Sequence, residues 1–377
     1  MKRFIVVLMA LFLVFAAFGT AAAADKKAEP VRIGIYLPMT GGVAAYGQME
    51  YAGVQVANKM KPTVLGKPVE LFLVDTKSDK IEAANAVDRL IKKEKVHAII
   101  GEAISGNTMA GGPIADKSKV PMVSPTATNP LVTQNREYVF RVCFIDPFQG
   151  EMAAKYAFET LGARKAAMMI DIAQDYCVGL GNFFAKSFIK QGGKIVAMTY
   201  LQTGDQDFTA QLSTIMAAKP DVLYLPNYYA EVALTCKQAA ELGLKVPVFT
   251  ADGAQAPELI SIGGKDVEGV ILTAHFAKEA AATDLARNYI ENYTKETKKE
   301  ASGFDALGAD AYFVILDAMT RAKSTDGPKV REALASTKNF NGVSGIINIG
   351  PDGNAVKSLV LLHVKDGDFK YLATVNP

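Results

Sequence analysis

Residues 31–60, VRIGIYLPMTGGVAAYGQMEYAGVQVANKM, set the architecture of the chain. Val31–Leu37 is a short, β-branched apolar run. Thr40-Gly41-Gly42 is a turn, and Met49, Ala52, Gly53, Val56, Ala57 and Met60 then recur at the spacing of one helix face. A strand, a glycine turn and a helix make half of a βαβ unit, and the unit repeats. Residues 69–74 read as the next strand, and Ile81, Ala84, Val87 and Ile91 as a helix. Ala98–Gly101 is a third strand, a helix opens at Ser105, and residues 120–124 form a fourth strand. This alternation predicts an α/β fold with a parallel sheet covered by helices on both faces.

A second series of the same kind begins near Phe148. Strands are expected at 166–170, 194–200, Val222–Leu225 and 248–251, with helices at 179–190, 208–218 and 231–242. From Thr283 onward helices dominate, at 285–297, 307–322 and 330–336, and the tail 346–375 reads as antiparallel strands turning at Asp366-Gly367. The order implies that late segments complete lobes begun earlier. The first lobe is expected over 31–141 plus 274–347 and the second over 142–273 plus 348–377, with ordered crossings instead of one linker.

A length of 377 residues, half of them hydrophobic, fits two domains with a substantial core in each. Residues 1–24 read as a cleavable export signal: Lys2-Arg3, an apolar run over 4–18, then Ala22-Ala23-Ala24 before Asp25. The run is shorter than the ~20 residues that cross a bilayer, so a soluble exported protein is expected. Without Lys2 and Arg3 the 41 basic residues become 39, equal to the 39 acidic ones. That balance excludes polyanion binding driven by bulk charge, and no nucleic-acid partner is expected. Cys143, Cys177 and Cys236 read as buried small hydrophobes, with a Cys177–Cys236 disulfide as the other possibility.

Catalytic and cofactor signatures are missing. His97, His275 and His363 are too scattered for a metal motif and are expected to be surface or packing residues. No GxGxxG, phosphate-binding loop or GxSxG elbow follows any strand, so no enzyme, metal or cofactor is expected. What remains are loops at the carboxyl ends of strands, where open α/β sheets bind ligands. Ser105 is placed to cap its helix and, with the free N–H groups of the first turn, to receive a carboxylate. In SPTATNP, residues 124–130, two prolines fix an extended loop carrying hydroxyls.

SPTATNP, the preceding GEAISGNT, the opening IGIYLPMTGGVAAYGQMEYAGVQVA, and QDYCVGL, LPNYYAE, FTADG and the closing GIINIGPDGN follow one another in an order that resembles the periplasmic branched-chain amino-acid binding proteins of ABC importers. The resemblance runs over essentially the whole mature chain. It implies a type I periplasmic binding protein: two Rossmann-like lobes joined by three hinge crossings that close on a ligand, in a monomer that serves permease subunits in the inner membrane. By matching position, Ser105 and Thr128, with backbone groups of Thr126 and Ala127, would bind the ligand α-carboxylate. Asp252 would receive the α-ammonium, and Tyr46, Tyr176 and Tyr228 would surround the side chain. Donors at one end, an anion at the other and an apolar wall suit a zwitterion. The family's first-lobe disulfide is absent, because Lys77 and Ile104 stand at its positions. Asp305, beside Phe304, adds an acid that would suit a polar or basic ligand side chain. An aliphatic amino acid is the leading ligand. The alternatives are another small carboxylate, such as an aromatic acid or amide, and a sensory role in place of transport.

Overall fold

The computed structural model describes residues 29–377. The export signal expected over 1–24 lies outside the described residues. Among those described, no helix is long and apolar enough to cross a membrane.

The first sheet holds β1 (Val31–Leu37), β2 (Thr63–Val64), β3 (Lys67–Asp75), β4 (Ala98–Gly101), β5 (Met122–Ser124) and β6 (Val139–Arg141), in the order β2-β3-β1-β4-β5-β6. All neighbours are parallel except the β2–β3 hairpin. β4 and β5 are buried throughout, which is why they read as unbroken apolar runs and not as alternation. Helices α1 (Ala44–Met60), α2 (Lys80–Lys92) and α3 (Ser105–Lys117) supply the crossovers.

The second sheet follows helix α4 (Asp146–Lys155) and holds β7 (Lys165–Asp171), β8 (Lys194–Leu201), β9 (Val222–Leu225), β10 (Val248–Thr250) and β11 (Ile271–Ala274). Its helices are α5 (Asp175–Lys190), α6 (Thr209–Ala218), α7 (Tyr229–Glu241) and α8 (Pro257–Gly263). The chain then returns to pack α9 (Asp284–Thr297) and α10 (Gly303–Ala322) on α1, followed by α11 (Gly327–Ala335). A small sheet, β12 (Phe340–Gly342), β13 (Gly345–Ile349) and β14 (Ala355–Val356), stays against the first lobe: the Arg141 N–H donates to Gly353 O at 3.0 Å, and the Thr133 hydroxyl to Asn354 Oδ1 at 2.9 Å. Finally β15 (Leu359–Lys365) adds antiparallel to β11, and β16 (Asp368–Val375) adds to β15, completing the order β16-β15-β11-β10-β9-β7-β8. The chain thus passes between the two sheets three times, after β6, after β11 and before β15.

Five of the expected helices begin earlier than expected, and two of the differences bear on function. α5 starts at Asp175, not 179, which puts Tyr176 in its first turn; α10 starts at Gly303, not 307, which does the same for Phe304 and Asp305. α4 has no counterpart among the elements expected from the sequence. Gly150 is in fact a contact point: a Cβ there would meet Phe183 Cβ at 2.8 Å and Phe184 N at 2.9 Å, so α4 and α5 touch through its missing side chain. Cys143, Cys177 and Cys236 are all buried and free.

Candidate functional site

The carboxyl ends of β4 and β5 build one wall of the inter-lobe cleft. Glu102, fully buried behind it, organises this wall: Oε1 accepts from the Thr76 hydroxyl (2.6 Å) and Asn107 Nδ2 (3.0 Å), and Oε2 from the Ile104 N–H (2.8 Å). Burial raises its pKa to about 7 against these donors. The expectation that Ser105 caps α3 is corrected by the structure. Ile104 holds the N-cap position and Ser105 is the first helical residue, its hydroxyl oxygen accepting the Asn129 N–H at 3.2 Å. That contact fixes the rotamer and leaves the hydroxyl hydrogen for the cleft. Thr126 Oγ1 lies between Ala103 O (2.9 Å) and Glu50 Oε1. One hydroxyl hydrogen serves one of them. Glu50 supplies the other, because burial pushes its pKa well above the usual carboxyl range.

The facing wall comes from the ends of β7, β9 and β10. Asp252 opens a 3₁₀ turn, Asp252–Ala254, and is 3% exposed. Its Oδ1 accepts from Gln149 Nε2 (2.6 Å) and the Tyr176 hydroxyl (2.7 Å), and its Oδ2 pairs with His275 Nε2 at 3.0 Å. Burial would raise its pKa, but the His275 contact, then Gln149 and Tyr176, outweigh that and hold it below the ordinary value. His275 is itself held low by burial, with Asp252 pulling the other way, so it is neutral and donates from Nε2. Of the two expectations for His275, surface or packing, the second holds, since its ring stacks on Phe144, and it is in addition a buried hydrogen-bond partner of the central acid. Asp252 is ionised, dry and surrounded by donors.

Aromatic rings form the rest. Tyr176 and Tyr228 stack at 5.4 Å with planes 1° apart, Tyr46 meets Tyr228 edge-on at 5.6 Å, and Phe304 stacks on Tyr46 at 4.4 Å. The Tyr46 hydroxyl donates to the Gly253 carbonyl.

Of the residues singled out in the sequence, Tyr46, Ser105, Thr126, Tyr176, Tyr228 and Asp252 line one cavity, together with Ala103, Ile104, Gly253 and Phe304. Ala127 and Thr128 do not line it. The Ala127 carbonyl accepts from Arg141 Nη1 at 2.6 Å, and Thr128 is fully buried on the side toward Asp146. Asp305 is also elsewhere than expected. Oδ2 accepts from the Ser302 N–H and hydroxyl, both at 2.6 Å, and Oδ1 from Tyr289 Oη at 2.9 Å. It caps α10 and presents no charge to the cleft, so the expectation of a polar or basic ligand side chain on its account falls. Gln149 is not among the residues singled out in the sequence, and nothing in its local sequence marks it.

The lobes meet over this cavity, which encloses only about 10 Å³. Tyr229 Oη donates to Gly42 O (3.0 Å), Asn129 Nδ2 to Asp175 O (2.9 Å), and Lys80 pairs with Asp175 (2.7 Å). A larger cavity of about 540 Å³ lies beside it, lined by Met49, Phe276, Tyr293 and Phe369 with Lys278 and Glu300 at its edge. It lacks the opposed donor and acceptor ends and carries no argument for the main site. Among the described residues no cluster of potential metal ligands occurs.

Known proteins share this fold. The leucine binding protein LivK of Thermotoga maritima is 50% identical, with 92% of this chain and 99% of that one covered at a TM-score of 0.91. The branched-chain amino acid transporter substrate binding protein LivJ of Streptococcus pneumoniae, solved with isoleucine, is 30% identical over 93% and 100% of the two chains at a TM-score of 0.87. Leu/Ile/Val-binding protein homolog 3 of Brucella melitensis is 29% identical over 89% of this chain and 90% of its own. The sequence profile described as periplasmic binding protein matches residues 30–368, and the chain belongs to that family.

Proposed function

We propose that this protein captures a branched-chain or related aliphatic amino acid between its lobes and delivers it, in the periplasm, to the permease of an ABC importer. The observation that carries this reading is the ionised, three-donor Asp252, which faces the Ser105 wall across a cleft lined with aromatic rings. An ammonium meets Asp252, a carboxylate meets the Ser105 hydroxyl and the first turn of α3, and an uncharged side chain lies against Tyr46, Tyr228 and Phe304. The names of the two solved relatives support the same ligand class. The two lobes, expected over 31–141 with 274–347 and over 142–273 with 348–377 but with residues 348–356 held on the first, close on the ligand, and closure is what the permease reads. The family consists of substrate-binding proteins, which supports release of the ligand unchanged.

Calorimetry with leucine, isoleucine and valine, set beside benzoate and 4-hydroxybenzoate, tests the reading. Tight binding of the aliphatic amino acids and its loss in Asp252→Ala are expected. Binding of the aromatic acids alone, or binding that survives Asp252→Ala, would refute it.

A further inference from the structure

The cavity of about 540 Å³ shares no lining residue with the amino-acid site, but the two have a common wall. On α1, Tyr46 lines the small cavity, and Met49, one turn on, lines the large one. After β10, Gly253 faces the first and Gln255 the second; around the head of α10, Phe304 and Ser302 divide in the same way. The large cavity draws on both lobes. Met49 and Tyr293 come from the first, Gln255, Leu362 and Phe369 from the second, and Phe276 from the crossing after β11. Its size is that of small-molecule sites, about 300–1,000 Å³.

Gln255 gives this cavity a polar anchor. The residue is 5% exposed, and its Oε1 is buried with no hydrogen-bond partner. The side chain crosses to the first lobe and ends against Gly303, where a Cβ would stand 2.5 Å from Oε1, so only glycine leaves room for it. A buried acceptor without a donor is costly, and a ligand donor that reaches it removes that cost. Charge is confined to the edge and balanced in sign. Lys278 pairs with Glu300 at 2.7 Å, Lys370 pairs with Asp368, and Lys299 and Glu279 add one charge of each kind. The interior therefore selects for apolar surface and one donor, not for net charge.

We propose that this cavity is a second binding site, for an uncharged, mainly apolar ring molecule whose single N–H or O–H donates to Gln255 Oε1 while the ring packs on Met49, Phe276 and Phe369. Its walls come from both lobes, so such a ligand completes its contacts only when the lobes are together. An amino acid held between Ser105 and Asp252 favours the same closed state. Each ligand therefore tightens the binding of the other, and by the same factor.

Indole, a ring with one N–H, is the test ligand, and its emission is read directly because the chain has no tryptophan. Fluorescence titration should show one saturable site, about threefold or more tighter with leucine present, and leucine calorimetry should tighten by the same factor with indole present. 1-Methylindole keeps the ring without the donor and should bind the wild type about fivefold or more weakly. Gln255→Met should lower indole to the 1-methylindole affinity and leave leucine binding in the absence of indole unchanged. Ala301→Phe, which fills the cavity from its wall, should abolish indole binding, again at unchanged leucine affinity. The comparison of indole with 1-methylindole needs only the wild type, so it decides the matter even if neither variant folds. No saturable indole binding, displacement of indole by leucine, or equal affinity for indole and 1-methylindole would each overturn the second site. Leucine affinity that indole leaves unaltered would overturn the coupling. If no amino acid binds at all, the function proposed above falls, and the two indole titrations still decide this site.

Discussion

Tyr46, on the first lobe, donates its phenolic hydrogen to the carbonyl of Gly253 on the second, and both groups are buried. The Lys80–Asp175 pair also crosses the cleft, but its side chains are 53% and 42% exposed, and exposed pairs contribute little. Closure therefore depends more on the dry Tyr46 bond than on the ion pair at the rim. Tyr46→Phe keeps the stack on Phe304 and leaves the Gly253 carbonyl without its donor. The expected result is a loss of about 1–2 kcal/mol in the closed state, or roughly five- to thirtyfold weaker leucine binding. Stopped-flow fluorescence should show the change mainly as faster release, because the bond exists only when the lobes are together.

His275 makes stability depend on pH in a predictable direction. Its ring stacks on Phe144 at 4.0 Å and is fully buried, and its pKa lies below 6.5. Below pH 6.5 the unfolded chain takes a proton on this imidazole that the folded chain refuses until lower pH, so stability falls as pH drops through that window. Lys357, lowered to about 8, is charged in both states there and adds no slope. Asp146, Glu102 and Asp305, raised to about 8, 7 and 7, tilt the same window the other way. Those three are unchanged in His275→Gln, so the variant isolates the histidine. Thermal unfolding from pH 7 to 5 should show a smaller acid-side drop in Tm for His275→Gln than for the wild type.

The buried strands were legible because they obey local rules. Val31–Leu37, Ala98–Gly101 and Val222–Leu225 are bounded by glycine, proline or polar residues and match the observed strands end to end. α4 was hidden because it meets α5 through a glycine, whose packing role has no hydropathy signature. The bonds of His275 and Gln149 to Asp252 were hidden for a different reason. Each residue lies far from Asp252 in sequence, 23 and 103 residues away, and meets it only where the chain crosses between the lobes. Ser105 illustrates the middle ground: its place at the head of α3 was readable, but that Ile104 takes the cap depends on the side chain of Glu102.

Asp305 is a structural acid, and its removal should show that. With Ser302 it forms a capping box at the start of α10, and it also accepts from Tyr289. Asp305→Ala is expected to lower the unfolding free energy by about 1–2 kcal/mol through the lost cap and the orphaned phenol. Urea denaturation checks the magnitude. The ranking of leucine over lysine as ligand should be unchanged in the variant; a shift toward lysine or away from it would return Asp305 to the cleft.

Phe304 reaches Tyr46 because α1 and α10 approach more closely than side chains normally allow. A Cβ on Gly53 would sit 2.0 Å from the Asp305 carbonyl oxygen, and one on Gly308 would sit 2.4 Å from that of Glu50. Both obstacles are backbone, so no rotamer change relieves them. Gly53→Ala must push the helices apart, at a cost of about 1–3 kcal/mol or more. The displacement acts where α10 begins, which carries Phe304 away from the Tyr46 ring and Asp305 away from Tyr289. Two readouts should therefore move together: a lower urea midpoint, and weaker binding of leucine that exceeds any loss for alanine, whose short side chain does not reach the ring pair. If Gly53→Ala destabilises the fold but weakens leucine and alanine equally, the helix contact supports stability alone and the Phe304 stack does not select the ligand side chain.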